Sequence, residues 1–431
     1  ARMVANYAGV MTQNDSRNDI IIRGNSPTGV LWRLEGVEIA NPNHFGAQGT
    51  TGGPVSMINN NLLSNSDFLT GAFPAEYGNA LSGVFDIRMK TGNYENYEHT
   101  FQLGFMGVDI ASEGPIFKSN NSSYAFNYRY STLGLVDIFI EGEMNIPIYQ
   151  DLSFKFNYPT QKVGIFTLWG TGFLDEISKK IESDTTEWKY YDDYKEFDAD
   201  LYTGTVGLSH KIIISNNSYI NSTLAYNTFG ITNDEWKWNN GSDKRPYEYV
   251  KSQQNQYIFA TNIYHKFNAR HNNKTGISVR NLSYDMDIRK DLDNSAPREK
   301  IVDENGNSQV LRAFTQSDIR LNNTWTVNLG LNYQYFALNN KYAIEPRSSI
   351  KWDFRSNQSL SLGYGLHSRL EELSLYMAQQ NTQNGVIQPN DDLDLTKAHH
   401  LVLGYSAKLN EYTSLKIEPY YQYLFDVPVI P

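Results

Sequence analysis

The sequence predicts an all-β protein: a transmembrane antiparallel β-barrel preceded by a smaller N-terminal region of different character. Three observations point there. Apolar and polar residues alternate over long stretches, the connections between those stretches are short and long by turns, and the N-terminal stretch shows neither habit.

The alternation is clearest where Trp325, Val327, Leu329, Leu331, Tyr333 and Tyr335 interleave with Thr326, Asn328, Gly330, Asn332 and Gln334. Successive side chains of a strand point to opposite faces, and about eleven residues is the length that a tilted membrane-crossing strand needs. The pattern recurs at Tyr124, Phe126, Tyr128 and Tyr130, at Leu152, Phe154, Phe156 and Tyr158, at Ile350, Trp352 and Phe354, and at Leu360, Leu362, Tyr364 and Leu366. Strands of a soluble sandwich usually run to about 5–6 residues, which argues against that alternative.

Composition agrees. Aromatics make up 13% of the 431 residues, with 30 Tyr and 21 Phe, while mean hydropathy is −0.52. Apolar area drawn from aromatics set among Asn, Ser, Thr and Gly suits a sheet with one apolar and one wetted face. No apolar run is long enough for a membrane helix, and barrel strands give only a weak hydropathy signal. A net charge of −10 and a pI near 5.4 argue against nucleic acid as a partner. The absence of Cys excludes disulfides and thiolate metal sites. The opening residues carry no signal-peptide pattern, so the chain is expected to be part of a longer one.

The connections orient the strands. Those at 159–162, 215–217, 270–273, 321–323, 356–358 and 409–411 are short and rich in Asn and Ser, as tight hairpins are. Those at 175–196, 233–256, 285–308 and 371–396 are expected to be long, charged loops. Short turns on the periplasmic side and long loops outside are the outer-membrane pattern. The count comes to about fifteen strands, an odd number, where a closed single-chain barrel has an even one. A C-terminally incomplete barrel is therefore expected. Tyr158, Trp169, Trp236, Trp238, Trp325 and Tyr412 fall near strand ends, where interfacial girdles are required.

Residues 1–97 have shorter strands and more Gly. A strand at 19–24 leads to a turn at 25–29, residues 30–39 form a strand pair, 41–53 a loop, 55–63 an amphipathic helix-like stretch, and further strands fall at 66–70 and 83–90. Three pieces stand in order: Ile22-Arg23-Gly24, then Leu34-Glu35-Gly36-Val37, then Tyr77-Gly78 with Ser82-Gly83-Val84-Phe85 and Lys90-Thr91-Gly92. With barrel strands following directly, this order resembles the plug of TonB-dependent outer-membrane transporters. The Arg88-Met89-Lys90-Thr91 run departs from the family's usual Thr-Lys.

The resemblance implies a mixed α/β plug domain inside the lumen, N-terminally incomplete, over 1–97 and the first part of a 22-stranded barrel over 98–431. Arg23, Gly24, Glu35, Gly36, Tyr77, Gly78 and Gly83 carry the plug motif, and Asn41, Asn43, His44 and Phe45 are expected at a ligand-facing plug apex. The implied activity is import of a scarce ligand (siderophore, vitamin, glycan or peptide) across the outer membrane of a Gram-negative bacterium. The expected partners are outer-membrane lipid, a TonB-type inner-membrane complex reached through a segment outside this chain, and a surface lipoprotein or other outer-membrane subunits. The alternative is a receptor-like barrel serving as a scaffold subunit. A passive porin is disfavoured by the plug-like segment.

Catalysis, cofactors and metals are not expected. His399 and His400 are adjacent on a strand and point to opposite faces, so they cannot readily chelate one ion. Asp192-Asp193 and Asp391, Asp392 and Asp394 lack calcium-loop spacing and read as solvated loop charge. No Gly-x-Ser-x-Gly elbow or phosphate loop occurs. Arg17, Arg23, Arg33 and Arg88, with Glu35 and Glu38, are expected to seat the N-terminal domain by ion pairs. Trp188, Tyr190, Tyr191, Tyr194, Trp236 and Trp238 are candidates either for ligand stacking or for an interfacial girdle.

Overall fold

The computed structural model describes residues 2–12, 18–46, 52–104, 107–132, 147–181, 186, 188, 193–239, 243–292 and 297–428. Among the described residues the N-terminal segment holds eight short strands: β1 (Val10–Thr12), β2 (Ile20–Ile22), β3 (Val30–Leu34), β4 (Val37–Glu38), β5 (Asn43–His44), β6 (Val55–Ser56), β7 (Asp67–Thr70) and β8 (Gly83–Ile87). They form a four-stranded sheet in the order β4-β3-β8-β7 and two hairpin-like pairs. The β3–β8 pairing is parallel, and it is central to the small sheet.

Two hairpin turns in this segment explain the paired motif residues. Arg23-Gly24 and Glu35-Gly36 all have left-handed φ, at +52, +78, +50 and +87°. A two-residue type I′ hairpin turn requires positive φ at both central positions, with Gly preferred second. Glu35 is held in that region because its Oε1 accepts from the Met89 amide at 2.7 Å and from Lys155 Nζ at 2.9 Å. Gly83 is needed for close packing, since a Cβ there would meet Ile22 Cδ1 at 2.5 Å.

The expected helix at 55–63 does not form. The segment is β6 followed by a single 3₁₀ turn, Asn60–Leu62. Asn59 accepts from the Asn61 amide, and the Asn59 and Asn61 side chains both reach Asp109. Three consecutive asparagines whose side chains compete for local partners disfavour a helix.

The rest of the chain is one antiparallel sheet of sixteen strands. They are β9 (Glu98–Gly104), β10 (Gly107–Phe117), β11 (Ser122–Tyr130), β12 (Ile148–Pro159), β13 (Ile165–Lys179), β14 (Lys195–Ser215), β15 (Ser218–Asn239), β16 (Asp243–Asn268), β17 (His271–Lys290), β18 (Glu299–Arg320), β19 (Trp325–Phe336), β20 (Lys341–Arg355) and β21 (Gln358–Arg369). A connection carrying α1 (Leu373–Tyr376) and the small hairpin of β22 (Gln380–Thr382) and β23 (Gly385–Ile387) precedes β24 (Thr396–Lys408). β25 (Ser414–Ile417) and β26 (Tyr420–Phe425) lie end to end along β24, so the sixteen strands occupy fifteen positions. From β9 to β21 each strand pairs with its neighbour in sequence, the topology that alternating hairpins produce, and β24 then pairs with β21.

The two faces of this sheet are inverted relative to a soluble protein. Leu329 and Leu331 are 52% and 44% exposed, whereas Asn332 and Gln334 are 1% and 0% exposed. Residues from 23 to 93 touch Asp109 on β10, Asp151 on β12, Arg280 on β17, Arg347 on β20 and Gln422 on β26. One small unit reaches strands across that whole span only if the sheet curves round it. The polar face is thus concave and lies against the N-terminal segment.

The strands outrun the expected length. β15, β16 and β18 have 22, 26 and 22 residues, so most of 233–256 and 285–308, and both ends of 175–196, are strand. Their charges pair across strands, as Lys195 does with Glu235 (3.1 Å), Lys290 with Glu248 (2.8 Å) and Lys251 with Asp285 (3.0 Å). Cross-strand pairs of opposite charge support a ladder, so charge density alone did not mark a loop. Of that set, 371–396 remains a long connection. Trp169, expected in a girdle, points inward, fully buried, and its Nε1 donates to Ser209. Trp325 and Trp352 stack at 5.1 Å beside the short turns.

Gly36 gives a test of the hairpin geometry. Gly36→Val places a β-branched residue at φ +87° and should lower the N-terminal segment's stability by about 1–3 kcal/mol, read as a shift in its urea midpoint. Gly36→Asn, which tolerates that region better, should recover much of it.

Candidate functional site

The N-terminal segment meets the concave wall through polar contacts centred on Glu38 at the end of β4. Arg280 Nη1 and Arg312 Nη2 each lie 2.8 Å from its carboxylate, and Asn79 Nδ2 donates to it at 2.7 Å. The Asn227 amide donates to the Glu38 carbonyl at 2.7 Å. Burial opposes the charged form, yet the two guanidiniums outweigh it and hold the Glu38 carboxyl down at about 2.

Beside this cluster lies a cavity of about 200 Å³ between β3, the 39–46 stretch, the inner faces of β15 to β17 and the start of the 370–395 connection. Leu373 and Tyr376 of α1 pack with Met286 and Phe336, fixing that connection over the wall. Asn79 Oδ1 accepts from the Leu370 amide, so one side chain ties the connection to Glu38. Arg280, Glu38 and Asn79 therefore both line the cavity and hold the segment in place.

A second anchor sits lower on the wall. Arg347 Nη1 donates to the carbonyls of Pro74 (2.6 Å) and Tyr77 (2.7 Å), while its Nη2 pairs with the buried Glu345. Asn332 donates to the Ala75 carbonyl, and the Ala75 amide donates to Gln316.

His44 forms the third. Its ring is fully buried, with Nδ1 2.5 Å from Asp175 and Nε2 3.0 Å from Asp151. Tyr149 and Phe173 pack on the ring, Arg129 also pairs with Asp151, and the Phe45 amide donates to Asp175. Burial disfavours the charged imidazole, but hydrogen bonds and charge from both carboxylates prevail and raise its pKa.

The expected site residues divide accordingly. Asn41 lines the cavity, whereas Asn43 is buried against Asn18 and His44 faces the wall. Arg23 pairs with Glu418 at 3.5 Å and lies under the Tyr420 ring, and Glu35 pairs with Lys155. Arg33 instead pairs within the segment, with Glu76 at 3.1 Å, to which Lys274 of the wall adds at 2.5 Å. Arg88 is exposed and lies 4.0 Å from both Asp67 and Asp86, within the segment. The Tyr77 hydroxyl donates to Asp86, and a Cβ on Gly78 would press on Arg312 and Asn332. Asp392 and Asp394 pair with Lys341 and Lys397. His399 stacks outward on Phe425, while His400 points inward beside His367. Arg17, Tyr190, Tyr191 and Asp192 lie outside the described residues.

The wall partners, Asp151, Asp175, Asn227, Arg280, Arg312 and Arg347, were missed from sequence. Each occupies an inward position of an alternating strand, and a charge or amide at that parity was the available signal.

A family model described as "TonB dependent receptor-like, beta-barrel" matches residues 145–427. Among solved structures, the siderophore receptor PirA from Acinetobacter baumannii is similar at 14% identity and a TM-score of 0.64, covering 96% of this chain and 66% of that one. A mutant of the ferric enterobactin receptor PfeA from Pseudomonas aeruginosa matches at 14% identity and 0.64, with coverages of 98% and 68%. The outer membrane transporter YddB from Escherichia coli matches at 12% and 0.58, with 94% and 62%. The chain thus spans about two thirds of the length of these structures. No curated protein sequence matches it.

Glu38→Gln leaves two buried guanidiniums without a carboxylate and should weaken docking of the segment by about 3–5 kcal/mol, measured as earlier urea release or faster proteolysis within 18–46. Because the Glu38 carboxyl is depressed to about 2, its contribution is complete above the ordinary carboxylate range and lost only as pH falls through about 2. His44 has the opposite sign. Its raised pKa makes the contribution complete below about 6.5, to be lost as pH rises through the raised value. The urea midpoint should fall on the alkaline side in the native protein, with that decline absent in His44→Gln; an equal decline in both would refute the assignment.

Proposed function

The chain belongs to the TonB-dependent receptor-like β-barrel family, and on that premise we propose that it is an outer-membrane receptor importing a scarce ligand through a plugged barrel. In this reading residues 1–97 are the plug and 98–431 the barrel wall, set in the outer membrane of a Gram-negative bacterium with lipid against the apolar convex face. A TonB-type inner-membrane complex acts on the plug, and surface lipoproteins or other outer-membrane subunits are candidate partners.

The observation that carries the proposal is the pairing of an apolar convex face with a concave face that grips a separate segment by hydrogen bonds and ion pairs. Contacts of this kind are individually modest, and water entering the lumen replaces them as they part. A plug so held is seated at rest and yields to a directed pull. The cavity beside Glu38 lies where a ligand arriving from the long-connection side would touch the wall and the plug together. Binding and release there require no covalent step. Siderophore, vitamin, glycan and peptide are all cargo classes such a site can serve.

The test is a deletion strain grown on defined media in which an iron chelate, cobalamin, an oligosaccharide or a peptide is limiting in turn. The expected result is a defect on one nutrient, reproduced when the inner-membrane coupling protein is removed instead. Undiminished growth on all of them, with loss of partner proteins from the outer membrane, would replace the importer with a scaffold subunit.

A further inference from the structure

The lining of the cavity beside Glu38 distinguishes between classes of cargo. Resting on the importer reading, we propose that the part of the ligand entering this cavity is the end of a neutral oligosaccharide. Four buried polar atoms of lining residues have no partner among the described residues: Trp32 Nε1, Arg280 Nε, Arg369 Nη1 and Asn227 Oδ1. Trp32, Asn227 and Arg280 are 6%, 6% and 7% exposed, so these atoms are set in a built site. A buried polar atom left unpaired is costly. Three donors and one acceptor together call for a molecule that accepts and donates at neighbouring positions, as hydroxyl groups do. Gln254 and Gln256, on the inward face of β16, continue the same mixed chemistry.

Charge excludes the main competitor. The lining carries Glu38, Glu371 and Glu372 against Arg280 and Arg369, with no lysine, and Arg280 is already committed to Glu38. A multiply anionic metal chelate would enter a site whose remaining charge is acidic, and burying unpaired charge is costly. One ring face of Trp32 is covered by Phe85, stacked at 4.2 Å and 5°. That face is closed to a ligand, and the unpaired N–H is the polar contact that Trp32 offers to the cavity. At about 200 Å³ the space is below the roughly 300–1,000 Å³ of a site for a whole drug-sized ligand, so it takes one end of a longer molecule.

The experiment titrates the detergent-purified full chain by calorimetry with a panel of neutral tri- to hexasaccharides of differing linkage, a neutral tripeptide amide and ferric enterobactin. A saccharide should bind, and Trp32→Phe, which keeps a ring but removes the N–H, and Arg369→Met should each weaken it about tenfold. Binding of the tripeptide or of ferric enterobactin in place of the panel, a silent panel, or saccharide binding unchanged in both variants would overturn the proposal. Uptake in the deletion strain separates the two levels. A defect on ferric enterobactin alone would overturn the oligosaccharide and leave the importer standing, whereas no defect on any nutrient would remove the importer itself.

Discussion

Buried polar groups need partners, and this constraint organises the molecule. A sheet that turns its apolar side chains outward must turn its polar ones inward, where an unpaired donor or charge is expensive. The N-terminal segment supplies those partners: Glu38 for Arg280 and Arg312, His44 for Asp151 and Asp175, and the backbone of 73–77 for Arg347 and Asn332. Segment and wall thus complete each other, and the segment's apolar core itself runs on into inward apolar residues of the wall such as Trp169, Phe173 and Leu201. Where pairing is incomplete, at Trp32, Asn227, Arg280 and Arg369, the wall and segment leave a cavity.

Much of this was legible in the sequence because period-2 alternation is a local property. The strand at Trp325–Phe336 can be read without knowing its neighbours, and the last strand was placed near its observed position. The strand pair at 30–39 was also readable, whereas the turn expected at 25–29 begins at Arg23-Gly24, inside the expected strand. What failed depended on distant partners. The charges of 233–256 resemble a loop until Glu235 is set against Lys195 and Glu248 against Lys290. His44 looked available to a ligand because its two carboxylates lie 107 and 131 residues away. The run at 55–63 has helical spacing of apolar residues, but Asn59 and Asn61 are claimed by Asp109 across the interface.

Similarity at 14% identity to receptors for siderophores shows how little of the wall chemistry the fold specifies. An antiparallel wall requires alternation and hairpins, and leaves the identity of each inward residue free. Function resides in that freedom. The acidic balance around Arg369 and the carboxamides of β16 belong to this chain's own inward positions, which is why cargo is better argued from them than from the shape of the sheet.

The grip of Arg347 differs in kind from the other anchors. Glu38 and His44 recognise side chains, so a single substitution in the segment can abolish either contact. Arg347 holds the carbonyl oxygens of Pro74 and Tyr77, which every amino acid possesses. That contact is blind to composition and sensitive only to the path of the chain. An insertion or deletion of one residue between Gly71 and Gly78 would carry both carbonyls out of Arg347's reach at once.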